Sequence, residues 1–200
     1  MFTKTKIFRL LSWPSPSSSS TQSLFQCASL RPAGIQREKS PGDFFDLNSA
    51  YIAGFVDADG SIFAQIIERA DYKNLFQIRP TVSLFQKTAR KHFLVQISQD
   101  LGFGTLRDRS DGISELTFSG WSEVQRILDR IFPYLRVKKK QAILLIRILE
   151  ILPSTKESPS RFLEACLVVD KIAELNDSKN RKWTSQIVRK RFLSLKIIVE

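Results

Sequence analysis

The sequence predicts an α+β fold of order αββαββα with further helices behind it, and three observations support this. Apolar spacing switches repeatedly between a helical and a two-residue period, turn residues separate two pairs of strand-like runs, and amphipathic helical stretches fill the C-terminal third. Asn48 or Ser49 could cap a first helix running through Tyr51, Ile52, Phe55 and Val56 to Gly60. From Ser61 to Arg69 the period becomes two, and a second run from Phe76 to Phe85 follows a turn around Asp71–Asn74. Lys87–Leu101 returns to helical spacing through Phe93, Leu94, Ile97 and Leu101, and Gly102 and Gly104 stop it. Thr105–Arg109 and Ile113–Phe118 form a second hairpin around Ser110, Asp111 and Gly112. Trp121–Phe132, Lys138–Leu152, Pro159–Leu175 and Thr184 to about Ile198 read as amphipathic helices, broken by Pro133, Pro153 and the 176–180 segment.

A chain of 200 residues, 42% of them hydrophobic, suits one well-buried domain plus a tail. Its 31 basic and 20 acidic residues give +11, which points to a polyanionic partner through counterion release. Residues 1–42 hold 6 basic and 1 acidic side chain, leaving 25 against 19, or +6, for 43–200. Bulk charge alone does not separate DNA from RNA or an anionic membrane. The acid-poor, serine-rich 1–42 segment has the composition of an organelle transit segment or of an in-frame extension without fixed structure, and the folded domain is expected at 43–200. Cys27 and Cys166 are too few and too far apart for a disulfide framework or a cysteine zinc site. Arg147 and Glu150 interrupt the apolar run Ala142–Leu152, so no membrane partner is expected; no small-molecule substrate is expected either.

The chemistry concentrates in YIAGFVDADGSI, Tyr51–Ile62. Ala50, Gly54 and Asp57 recur at i, i+4 and i+7 with Ala53 beside them, an arrangement that lets a partner helix approach closely. Asp57 and Asp59 fall at the carboxyl end of that helix, where the macrodipole disfavours anions and positive charge is called for. One carboxylate, a backbone carbonyl such as that of Ala58, and DNA phosphate make an oxygen-rich set that suits Mg2+. Two such helices side by side would set two of these sites at one scissile region, an arrangement used for metal-assisted phosphodiester hydrolysis. A DxDG turn by itself is more often an ordinary helix end with capping or solvated acids; the small-residue face and the alternating strand after it favour the metal site.

YIAGFVDADGSI closely resembles the LAGLIDADG motif of the homing endonucleases, present here in one copy. The resemblance runs from about Ala50 to Lys190 and includes QKTARKHF, LRDRSDG, PYLRVKKKQA, LPSTKESPSRFLE and ELNDSKNRK. It is nearest to the single-motif branch of algal organelle ribosomal RNA introns, and so implies a homodimer joined through the Ala50–Asp59 helices. It also implies a saddle of antiparallel strands on double-stranded DNA, and a chloroplast rather than a mitochondrion as the compartment. Carried to matching positions, it makes Asp59 the metal-binding catalytic carboxylate, assisted by the Ala58 carbonyl. Gln86, Arg90 and Lys138 become the polar and basic residues around the cleavage site, and Asp57 a structural acid at the helix end. The single His92 needs no catalytic role.

A two-stranded ribbon fits the DNA major groove and can present alternate side chains to base edges. Alternation and resemblance together select Phe63, Gln65, Ile67 and Arg69, then Gln77, Arg79, Thr81 and Ser83, with Arg107, Arg109 and Ser114 from the second hairpin. Lys87, Lys139, Lys140, Ser178, Lys179 and Lys182 resemble phosphate-contacting positions, which add affinity and register. Positions matching Ile67 and Leu116 vary in the family, so a diverged target site is expected. Two other readings compete: an intron RNA maturase on the same fold, and a DNA-binding module without cutting. The first predicts that the host intron fails to splice without the protein, the second that losing Asp59 leaves function intact.

Overall fold

The computed structural model describes residues 41–176 and 181–198. The expectation for the basic N-terminal segment lies outside them, except at its last two residues, and Ser178 and Lys179 lie outside them altogether. Helix α1 (Pro41–Asp59) runs directly into β1 (Gly60–Glu68), which turns back into β2 (Phe76–Lys87). A 3-10 turn (Thr88–Arg90) leads into α2 (His92–Leu101), then β3 (Thr105–Asp108) and β4 (Ile113–Ser119) form the second hairpin. The chain continues through α3 (Trp121–Ile131), α4 (Lys139–Ile151), α5 (Pro159–Leu175) and α6 (Ser185–Ser194).

The four strands make one antiparallel sheet of order β1-β2-β4-β3. Period-two alternation sends Ile62, Ala64, Ile66, Ile78, Val82, Leu84, Leu116 and Phe118 to one face, where all are buried. Against that face pack Ile52, Ala53 and Val56 of α1, Val124, Ile127, Leu128 and Ile131 of α3, and apolar residues of α4 and α5. The other face carries no helix layer of the described chain. Leu116, expected among varying recognition positions, is wholly buried and belongs to the core.

Boundaries differ from the expected ones for local reasons. Helix α1 begins at Pro41, upstream of Asn48 and Ser49; proline suits a first turn, where its missing N–H has no intrahelical partner. Strand β2 runs on to Lys87, so α2 starts later than expected. The last helix stops at Ser194, and Lys196 takes a left-handed φ of 56°. Gly60 is required where α1 becomes β1: a Cβ there would lie 2.7 Å from Val56 Cα, 2.8 Å from Val56 O and 3.1 Å from Ser83 O.

Candidate active site and nucleic-acid interface

The carboxyl end of α1 is tied to the segment before α4 by a two-way clamp. Asp57 Oδ2 accepts from the backbone N–H groups of Arg136 (2.7 Å) and Val137 (3.1 Å), and Oδ1 accepts from that of Lys138 (2.9 Å). In return Lys138 Nζ donates to the Val56 carbonyl at 2.9 Å and the Asp57 carbonyl at 2.6 Å. Burial alone would raise the Asp57 carboxyl, but the N–H groups of Lys138, Arg136 and Val137 and the Lys138 charge outweigh it and hold the group below 3.8. The positive charge that the helix end calls for is therefore the Lys138 ammonium, set on the last free carbonyls.

Asp59, two residues on, takes no part in this clamp. It is the last residue of α1, exposed beside an exposed Ala58, and its carboxylate accepts no hydrogen bond from the described residues. Gly60 pairs with Leu84, so β2 continues past the start of β1, carrying Gln86 alongside the end of α1. Gln86 is half-buried, its Oε1 accepting from the Lys87 N–H at 3.0 Å, and Arg90 is exposed in the turn that follows. The fold thus draws the end of α1, the end of β2 and the start of α4 to one end of the sheet. Among the described residues no cluster of three or more His, Cys, Asp or Glu could enclose a metal ion. The exposed Asp59 carboxylate next to the exposed Ala58 fits an ion that takes few protein ligands and completes its shell with phosphate and water.

The uncovered sheet face gathers most of the expected recognition residues. Phe63 pairs with Thr81, Gln65 with Arg79 and Ile67 with Gln77, so these six point the same way. Gln65 and Arg79 are exposed, whereas Thr81 and Ser83 on the central strand are buried between neighbouring strands. The Ser83 hydroxyl donates to Glu115 Oε1 at 2.9 Å, so it braces that carboxylate rather than projecting outward. Arg69 and Arg109 meet Asp71 at 3.8 Å and Asp111 at 2.9 Å, exposed pairs weak enough to yield to a phosphate or a base. Lys87, Lys139, Lys140 and Lys182 are all exposed.

Ser114 does not belong to this face. Arg107 pairs with Glu115 and Asp108 with Ser114, which puts Ser114 on the opposite side from Arg107. It is fully buried, donates to Asp108 Oδ1 at 2.7 Å and stands 3.2 Å from the Thr88 hydroxyl. Hydrogen bonds from Lys91 and Ser114 hold the Asp108 carboxyl below its ordinary range. Thr105, Glu115 and Thr117 occupy the face instead, and the alternation Ile113, Glu115, Thr117, Ser119 was the signal for them.

The outward face of α1 presents Leu47, Tyr51, Gly54 and Ala58, all exposed, flanked by half-buried Ala50. Ala53, expected there, is fully buried in the chain's own core, because it shares the stripe of Ile52 and Val56. Asp57, also expected there, is only half-buried but engaged within the chain. A Cβ at Gly54 would meet nothing within 4 Å, so the face is open.

A motif helix feeding directly into a four-stranded sheet with an uncovered polar and basic face is the framework shared with a class of DNA endonucleases. The family model described as LAGLIDADG endonuclease matches residues 52–151. DNA endonuclease I-CreI of Chlamydomonas reinhardtii is 48% identical over 139 residues, 70% of this chain and 85% of that protein. DNA endonuclease I-CvuI of Chlorella vulgaris is 44% identical over 150 residues, covering 74% and 92%. A crystal structure of I-CvuI in complex with its target in the presence of 2 mM Ca superposes with a TM-score of 0.75 at 41% identity, over 78% of this chain and 99% of that one. The chain belongs to the LAGLIDADG endonuclease family.

Proposed function

We propose that this protein is a homing endonuclease. As a homodimer it hydrolyses both strands of double-stranded DNA at a long pseudo-palindromic site, using Mg2+. The observation that carries this reading is the division of labour at the end of α1: Asp57 and Lys138 neutralise and fasten the helix end, leaving Asp59 exposed and unengaged. Asp59 and the Ala58 carbonyl would hold the metal, which supplies Lewis-acid polarisation of the phosphoryl group and an activated water. Gln86 and Arg90 lie at the same end of the sheet, a polar and a cationic group for orienting water and countering developing charge. The open Gly54 surface of α1 supports two-fold pairing through these helices, which sets two Asp59 carboxylates near one axis.

Residues 43–200 form the endonuclease domain in this reading, with 1–42 an extension outside it. The relatives from Chlorella and Chlamydomonas support an organellar setting, and we take that organelle to be a chloroplast before a mitochondrion. The test is cleavage of a plasmid carrying the intronless organellar ribosomal RNA gene, comparing wild type with Asp59→Asn in magnesium. Cutting by the wild type that disappears in the variant while binding persists is the expected result. Tight, specific binding without any cutting by the wild type would favour a binding module, and binding of the intron RNA alone a maturase.

A further inference from the structure

Asp170, on α5, belongs to no group discussed so far, yet both of its carboxylate oxygens are engaged. Oδ1 accepts from Arg181 Nη1 at 2.5 Å, and Oδ2 accepts from the backbone N–H of Ser185, the first residue of α6, at 3.1 Å. The pair is well shielded, with 17% of the Asp170 and 27% of the Arg181 side chain exposed. Trp183 packs edge-on against Phe76 with ring centroids 4.9 Å apart, and Asn176 Nδ2 donates to the Ile62 carbonyl at 2.8 Å. Strand β1 is an edge of the sheet, and residues 181–183 share a cleft with its residues 64–68. Lys182 and Gln65, both exposed, line this cleft of about 470 Å3, and the Lys182 Nζ lies 5.3 Å from the centre of the Trp183 ring.

We propose that Asp170 is a positioning residue for the DNA-backbone contact. It fastens Arg181 and the start of α6 so that Lys182 stands at the rim of the uncovered sheet face, within reach of a phosphate of DNA lying on Gln65 and Arg79. This rests on the reading of that face as the DNA surface. The assignment runs against simple electrostatics: removing a carboxylate from a protein of charge +11 should tighten DNA binding, whereas loss of a positioned lysine weakens it.

The experiment measures binding to a mixed-sequence DNA duplex across a salt series for wild type, Asp170→Asn, Lys182→Ala and the double variant, with a melting curve for each. Each phosphate contact contributes about 0.9 to the slope of log affinity against log salt concentration. Asp170→Asn and Lys182→Ala should each lower the slope by about 0.9 per subunit, and the double variant by no more than either. A fall for Lys182→Ala with an unchanged or steeper slope for Asp170→Asn would overturn the role of Asp170 while leaving the DNA surface in place. An unchanged slope for Lys182→Ala would overturn the phosphate contact, and the proposal with it. Should Asp170→Asn fail to fold, Arg181→Lys keeps the net charge and loosens the same tie, and its slope decides the matter in the same way.

Discussion

Asp57 and Asp59 are two residues apart and chemically identical, yet their surroundings assign them opposite work. Three backbone N–H groups and an ammonium fasten Asp57 in its charged form, while Asp59 keeps its oxygens free. Asp57→Asn should lower folding stability by about 1–3 kcal/mol near neutral pH, since a neutral amide cannot accept from all three donors. Because the folded carboxyl titrates below its ordinary 3.8, its contribution is complete above that value and disappears as pH falls through the folded one. The gap in melting temperature between wild type and variant should therefore close under acid; a gap constant to below pH 3.8 would show that charge is not the source. At this scale the sequence placed the two acids at the negative end of a helix. It did not reveal that the compensating cation is Lys138, because their contact spans 81 residues of chain.

Gly54 of α1 and Gly60 at the start of β1 look alike in the motif and differ in the fold. A Cβ at Gly60 would press on backbone atoms of Val56 and Ser83, which cannot swing aside as a side-chain tip can, so Gly60→Ala should cost about 1–3 kcal/mol. Gly54 faces open space, so Gly54→Ala should stabilise the isolated subunit by about 0.8–1 kcal/mol through helix propensity. If α1 pairs with α1 of a second copy, that same methyl group should weaken the dimer, seen as a higher dissociation constant in sedimentation. Greater monomer stability with unchanged dimerisation would move the interface elsewhere. The helical period identified this helix; what it misassigned was Ala53, because the small residues Ala50, Ala53 and Gly54, so closely spaced, do not say which of them a core will cover. Ser114 was misplaced for a similar reason, the hairpin turn leaving the pairing of β3 with β4 open by one residue.

For the whole molecule, 6 of the 31 basic residues lie in the first 42 positions, and the family model begins only at Ile52. A chain lacking residues 1–40 should keep its melting temperature and cut the same site at the same rate. A loss of cutting on truncation would draw the segment into the catalytic unit. The expected alternation of elements matched the observed order through the strands and α-helices of the described chain, since each has its own periodicity and its own turn residues.

The sequence by itself determined which segments are helices and strands, the acidic motif at the end of α1, and the stock of basic and polar side chains, because these follow from local spacing and side-chain chemistry. Only the tertiary structure decided strand order, the partner of Asp57, the burial of Ser83 and Ser114, and the seating of Lys182 by Asp170. Each of these is set by contacts between separate elements, such as Asp57 with Lys138 over 81 positions, Ser83 with Glu115 over 32 and Asp170 with Ser185 over 15, and local periodicity carries no information about them.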